Sequence, residues 1–368
     1  MSAARVLVVT VVHDPRDARI YERQIRALLE AGDQVTFAAP FSGYGVAPPS
    51  DVLAEDLPRA SGRSRAVAIV EAGRLLHRLG RQHDAVILHD PELLVAAAGF
   101  RHRVLVWDVH EDTAAALSLK AWLPESARPL VRRGVAALEA RAERHRRLML
   151  AEPGYAARFR TAHPVVPNTS RVPSTVAQPD TRQAVYLGRV SIERGGLDLI
   201  EVGRLLVPQK CSLVIMGPAD ERMRPHLESA RDAGWIDWSG FVDNDRALRR
   251  LEGSAAGLSL LHDEPNYRHS MPTKVVEYMA RGIPVITTPL PLANELVQAA
   301  DSGLVVPFND PPAAADAVVR LLGDSALRHR LGAAGHRFAS QNTNWEVDGP
   351  AFVELLHGWI SEAVTRPG

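Results

Sequence analysis

The residues most able to do chemistry lie in Met271-Pro-Thr-Lys-Val-Val-Glu-Tyr-Met-Ala-Arg-Gly-Ile-Pro-Val-Ile286. The pattern predicts a loop, a helix opening after Pro272, a stop at Gly282 and a buried strand. A helix N-terminus directs free N–H groups outward and favours anions. Lys274 and Glu277, three residues apart, share one face near that end. Thr273, a cation and a carboxylate there would suit a nucleoside diphosphate, with the lysine for phosphate and the glutamate for ribose hydroxyls. The competing reading is a surface helix with an i, i+3 ion pair. Lysine is also rare in this chain: 43 residues are Lys or Arg, and Lys120, Lys210 and Lys274 are the only lysines. Tyr186-Leu-Gly-Arg-Val-Ser-Ile-Glu-Arg-Gly-Gly196 is a second candidate. A strand ends at Gly188 and a helix starts near Gly195–Gly196, with Arg189 and Arg194 flanking the turn. Two fork-shaped cations at a strand's carboxyl end also suit a diphosphate.

These motifs need a scaffold. Apolar runs at Arg5–Val12, Gln34–Ala39, Ala85–His89 and Val104–Val109 predict strands buried on both faces, separated by helices such as Ile20–Glu30 and Ala66–Leu79. Pro40–Ser64, rich in Pro, Gly and Ser, predicts a long irregular loop. A proline-rich break at His163–Asp180 predicts a linker, after which the alternation restarts with strands near Val185, Cys211, Ala256, Val285 and Leu304. This is α/β architecture with two doubly wound parallel sheets. The expected domains are 1–166 and 181–343, with a terminal helix over 344–368 packing back on the first. Two such domains facing across a cleft would bind ligand at the carboxyl ends of their strands.

Composition narrows the classes. The chain has 368 residues, 46% apolar and 23% charged, with zero formal net charge. That balance argues against a nucleic-acid binder. The lone Cys211 reads as a core thiol. No Gly-x-Gly-x-x-Gly turn, phosphate loop, His-Glu-x-x-His or Cys-x-x-Cys appears, so dinucleotide and zinc chemistry are disfavoured. A cytoplasmic protein with no cofactor and no metal site is expected.

The two C-terminal stretches resemble the donor-binding motifs of glycosyltransferase family 4, the retaining GT-B enzymes. His13-Asp14 with Asp17-Ala-Arg-Ile20, His89-Asp-Pro-Glu-Leu-Leu94 and Asp108-Val-His-Glu-Asp112 resemble a subgroup of it, so the likeness runs along nearly the whole chain. It implies transfer of a sugar from a nucleotide-diphosphate sugar to an acceptor hydroxyl. It also implies that Arg189 and Arg194 neutralise the diphosphate, that Glu277 binds the ribose and that His110 contacts the donor sugar. Lys274 matches a subgroup lysine. The N-terminal motifs put His13, Arg19, His89 and Asp90 on the acceptor side, with a helix cap as the competing reading of Asp90-Pro-Glu92. One departure stands out: His269 replaces the family's first glutamate. Glu264, or Asn266 in the loop to Ser270, would then hold the donor sugar.

Competing activities are a nucleotide-sugar 2-epimerase, a pseudo-glycosyltransferase, or a non-catalytic partner that binds nucleotide sugar. The arginine-rich run Arg128–Arg147 would suit peripheral contact with anionic lipid. A solvated helix face is the favoured reading.

Overall fold

The computed structural model describes residues 3–110, 128–265, 267–268 and 271–365. Two compact units divide the chain, Met1–Asn168 with Val347–Gly368, and Thr169–Glu346.

In the first unit six parallel strands lie in the order β3-β2-β1-β4-β5-β6. They are β1 (Arg5–Val9), β2 (Gln34–Ala39), β3 (Leu53–Asp56), β4 (Ala85–Leu88), β5 (Leu105–Val109) and β6 (Arg147–Leu150). β1 is buried beyond its first residue, and β4 and β5 are buried throughout. That is why they read as unbroken apolar runs. Val9 pairs with both Ala38 and Leu88, so the carboxyl ends of the three central strands are level. The chain order reverses between β1 and β4, and the crevice outside these ends is the expected ligand position.

The second unit repeats the plan. β7 (Thr181–Leu187), β8 (Ser212–Met216), β9 (Asp237–Trp238), β10 (Ser254–Ser259), β11 (Val285–Thr287) and β12 (Gly303–Val305) lie in the order β12-β11-β10-β7-β8-β9, all parallel. Its reversal falls between β7 and β10. Side chains of β7 alternate: Ala184 and Tyr186 join one core, Val185 the other. Both faces are therefore covered, as the two-residue period of a strand requires. Cys211 is buried beside β8, and burial raises its thiol pKa.

The fold differs from the sequence pattern in places. Pro40–Ser64 holds a short helix, Phe41–Tyr44, and the edge strand β3, paired with β2. Leu53–Asp56 is mostly exposed, so no apolar alternation marks it. The expected helix Ile20–Glu30 is a π-helical stretch, Ala18–Ile25, followed by an α-helix, Arg26–Glu30. Asp17 starts it by accepting from the N–H groups of Arg19 and Ile20. The wider turn buries Arg19, Arg23 and Gln24 together. The terminal helix Trp345–Thr365 meets the first unit through His357, 2.8 Å from Asp33, and Glu362, 2.7 Å from Arg147.

Candidate functional site

In the second unit, β7 hands the chain to the turn Gly188–Gly195 at the reversal point. Tyr186, fully buried, donates its hydroxyl to the Arg189 carbonyl at 2.8 Å. Tyr278, on helix Thr273–Ala280, accepts from Leu187 N–H at 2.9 Å and donates to the Leu258 carbonyl at 3.1 Å. These two hydroxyls fasten the end of β7 to its own loop and to β10. Gly195 opens helix Gly196–Leu206 at φ +77°, and a β-carbon there would stand 2.1 Å from the Leu260 carbonyl oxygen. Only glycine fits that approach. His262, just past β10, bonds Asp198 on the same helix at 2.8 Å and donates its N–H to the Glu193 carbonyl.

This frame holds three cations. Lys274 is 5% exposed, its Nζ lies 4.6 Å from the centre of the Tyr186 ring, and its stem packs against Gly188. Burial, reinforced by the positive charge of Arg194 and opposed by Glu277, pushes its pKa down to about 7. The Arg194 guanidinium lies 5.7 Å from the centre of the Tyr267 ring. Arg189 is exposed at the mouth of the turn. Glu277 is buried on the same helix as Lys274, and Thr273 is half-buried at its first position. A buried lysine with two more accessible arginines on one turn favours a multivalent anion.

The first unit's crevice is built differently. Asp108, fully buried on β5, takes both Nε and Nη2 of Arg19 at 2.8 and 2.7 Å and the amide of Gln24 at 3.1 Å. Despite burial, which opposes it, the Arg19 charge and bonds hold the Asp108 carboxyl well below its usual range. Asp90, also fully buried, bonds Thr10 and the N–H groups of Val11 and Val12, fixing the chain as it leaves β1. Three imidazoles sit between these carboxylates. His13 Nε2 lies 3.2 Å from Asp90 Oδ1 and 3.0 Å from His110 Nε2. His110 Nδ1 lies 3.1 Å from the Asp108 carbonyl. His89 Nδ1 lies 3.1 Å from Asp108 Oδ2, off the line of a well-formed hydrogen bond, and burial lowers its pKa. The remaining space is about 10 Å³, roughly one water.

His89, Asp108 and His110 each offer a donor atom, all within 4.8 Å of one another. Two imidazoles and a carboxylate are a zinc-like set by type. Arg19 and Gln24 already bond the Asp108 carboxylate, however, so a metal would sit against a buried guanidinium that repels it. These residues do not fit a resident metal.

The predicted residues thus fall into two groups. Arg189, Arg194, Lys274, Gly188, Thr273 and Glu277 gather in the second unit, and His13, His89, Asp90 and His110 in the first. Arg19 belongs to the interior, where it neutralises Asp108. Glu264 lies in the turn that carries Tyr267, half-buried after β10. Asn266 and His269 lie outside the described residues, as do Glu111 and Asp112. Asn168 accepts from Arg23 at 2.6 Å. Sequence reasoning misses Tyr186, whose hydroxyl holds the nearby Arg189 carbonyl, and Tyr278, His262 and Asp108, whose partners are distant along the chain. In the arginine run, helix Arg128–His145 forms, and Arg147 lies over Trp359 and pairs with Glu362. Among the described residues no helix is long and apolar enough to cross a membrane.

The family model of glycosyl transferases group 1 matches residues 181–324. A phosphatidyl-myo-inositol mannosyltransferase from Mycobacterium leprae is 31% identical over 192 residues, covering 50% of this chain and 48% of that protein. An alpha-D-kanosaminyltransferase from Streptomyces kanamyceticus is 29% identical, covering 40% of this chain and 38% of that one. The chain spans about half the length, or less, of the curated relatives it matches. Two solved structures share the fold over nearly the whole chain. Sucrose-phosphate synthase from Thermosynechococcus elongatus superposes with a TM-score of 0.74 at 18% identity, covering 98% of this chain and all of that one. HepE from Anabaena, solved with UDP-glucose, gives 0.70 at 14%, covering 96% of this chain and all of that one. The two Rossmann-like sheets share the GT-B fold of these structures, and the stretch that the family model matches carries Lys274 and its turn.

Proposed function

We propose that the chain is a nucleotide-sugar-dependent glycosyltransferase whose donor nucleotide is held by the second unit. The observation that carries this reading is the buried Lys274 at Gly188, beside Arg194 and the turn of Arg189, at the reversal point of the second sheet. In transfer, the bond from the anomeric carbon to the diphosphate breaks and a bond to the acceptor oxygen forms. Negative charge grows on the departing diphosphate. Cations fixed beside that diphosphate stabilise the charge more in the transition state than in the ground state. Arg189, Arg194 and Lys274 take this role, and Glu277 takes the ribose hydroxyls. We assign His110, oriented by Asp108 and His13, to the reacting sugar. The acceptor proton passes to the leaving phosphate oxygen, the anomeric configuration is retained and no metal takes part.

The test is a panel of nucleotide-diphosphate sugars offered with hydroxyl acceptors, followed by release of nucleoside diphosphate and by NMR of the new anomeric centre. One donor should be turned over, with retention and without sensitivity to EDTA. Binding without turnover would favour a non-catalytic partner, and donor consumption without acceptor would favour an epimerase.

A further inference from the structure

The first unit contains a cavity of about 360 Å³ apart from the histidine cluster. One wall is the chain that leaves helix Pro91–Ala96 and enters β5; the other is the C-terminal half of helix Arg128–His145. This wall meets β5 at its amino end, whereas His110 follows its carboxyl end. Five strand residues, roughly 17 Å, separate the two. On the helix, Leu138, Arg141, Ala142 and His145 follow the i, i+3, i+4, i+7 spacing of a single stripe.

The lining is half apolar and half basic. Leu94, Phe100 and Leu138 form the apolar part, and Arg101, Arg141, His145 and Arg146 the basic part, with no carboxylate among the lining residues. The nearby helix carboxylates are committed elsewhere. Glu139 pairs with Arg158, and Glu143 accepts from the N–H groups of Arg160 and Thr161. Arg146 is used in the structure: its Nη2 donates to the carbonyls of Ala97 and Phe100 at 2.9 and 3.4 Å. Burial, then the like charge of Arg141, lowers its pKa. Among the described residues the side chains of Arg101, Arg141 and His145 have no partner. The Arg141 charge is felt at Arg146, and an anionic occupant would offset that repulsion.

We propose that this cavity binds an amphipathic anion, a phosphate monoester whose head lies among Arg101, Arg141 and His145 and whose apolar body lies on Leu94, Phe100 and Leu138. Its volume is in the range of small-molecule sites. The same head group could belong to a soluble ester or to an anionic lipid, and the experiment separates the two.

Octyl phosphate, kept below its micellar concentration, is titrated calorimetrically into the full chain, with octyl glucoside as the neutral control. Flotation with vesicles of phosphatidate in neutral lipid is the second arm. Arg101→Gln/Arg141→Gln is the test variant; both residues are exposed, and an unchanged melting temperature verifies its fold. Octyl phosphate should bind at one site, octyl glucoside should not, and the double variant should weaken binding about ten-fold or more, as expected for lost charge-assisted bonds. Arginine-dependent flotation without octyl phosphate binding would support the site and assign it to lipid. Equal behaviour of wild type and double variant in both arms, or no binding in either, would overturn the proposal.

Discussion

The two sheets have the same strand order and differ in the electrostatics of their reversal points. At the first unit's reversal point the buried Asp108 is matched by Arg19, and Asp90 lies against the His13 imidazole and the N–H groups of Val11 and Val12. In the second unit Arg189, Arg194 and Lys274 gather around one turn, and Lys274 is held near the midpoint of its titration. A crevice that neutralises itself is preorganised without ligand. A crevice with surplus positive charge is completed by an anion. Shared topology therefore fixes where a ligand can bind, while the side chains at the strand ends decide what it is.

The largest effect expected to test this contrast is on stability. Arg19→Met leaves Asp108 buried without a counter-charge and should cost the first unit about 3–5 kcal/mol. Hydrogen exchange of β4 and β5 reads this directly, and nucleoside diphosphate binding by the second unit should be unaffected. A variant as stable as wild type would mean that the Arg19–Asp108 pair is not what holds the crevice. Next, Arg189→Ala should lower turnover about 10²–10³-fold, the loss typical of a group that stabilises developing charge. Its exposure predicts an unchanged melting temperature, and unchanged turnover would remove it from the mechanism.

Acid should affect the first unit. His89 has a lowered pKa in the fold, so the unfolded chain binds more protons and stability falls as pH drops below about 6.5. Asp108 is also lowered, so its contribution is present above the unfolded value and is lost as pH falls from about 4 towards its folded pKa. Exchange protection of β4 and β5 that is flat from pH 7 to 3 would contradict both. The smallest effect belongs to Tyr267→Ala, which removes the ring beside Arg194 and should weaken donor binding by about 0.5–1 kcal/mol. A loss as large as that of Arg189→Ala would mean that Tyr267 touches the donor itself.

Much of this architecture was legible from sequence because central strands of doubly covered sheets are unbroken apolar runs, as in Val6–Val9 and Ala85–Leu88. The exceptions are an exposed edge and short strands whose few apolar residues make no run of their own. β3 is an exposed edge, β9 has two residues, and β6 follows directly on an arginine-rich helix. The second unit's cations were legible because they cluster at a strand–turn–helix junction and because lysine is scarce. The first unit's network was only partly so. Arg19 reaches Asp108 across 89 residues and, in the second unit, His262 reaches Asp198 across 64, distances that local pattern cannot bridge. Nor does a helical repeat reveal the π-helical turn that buries Arg19, Arg23 and Gln24 together.

The central claim is that Lys274 lies where a diphosphate binds. Its charge is lost progressively as pH rises through about 7, and binding above that pH must recruit a proton. Each pH unit above 7 should therefore weaken nucleoside diphosphate affinity by up to about ten-fold, until the raised pKa of the complex is reached. The decisive measurement is calorimetric titration of UDP, GDP, ADP and TDP into wild type and Lys274→Met at pH 6.5 and pH 9. The account predicts that one nucleotide binds wild type at pH 6.5, more weakly at pH 9 with proton uptake, and that Lys274→Met binds weakly at both. No binding at either pH, or the same affinity and pH dependence in both proteins, would contradict it.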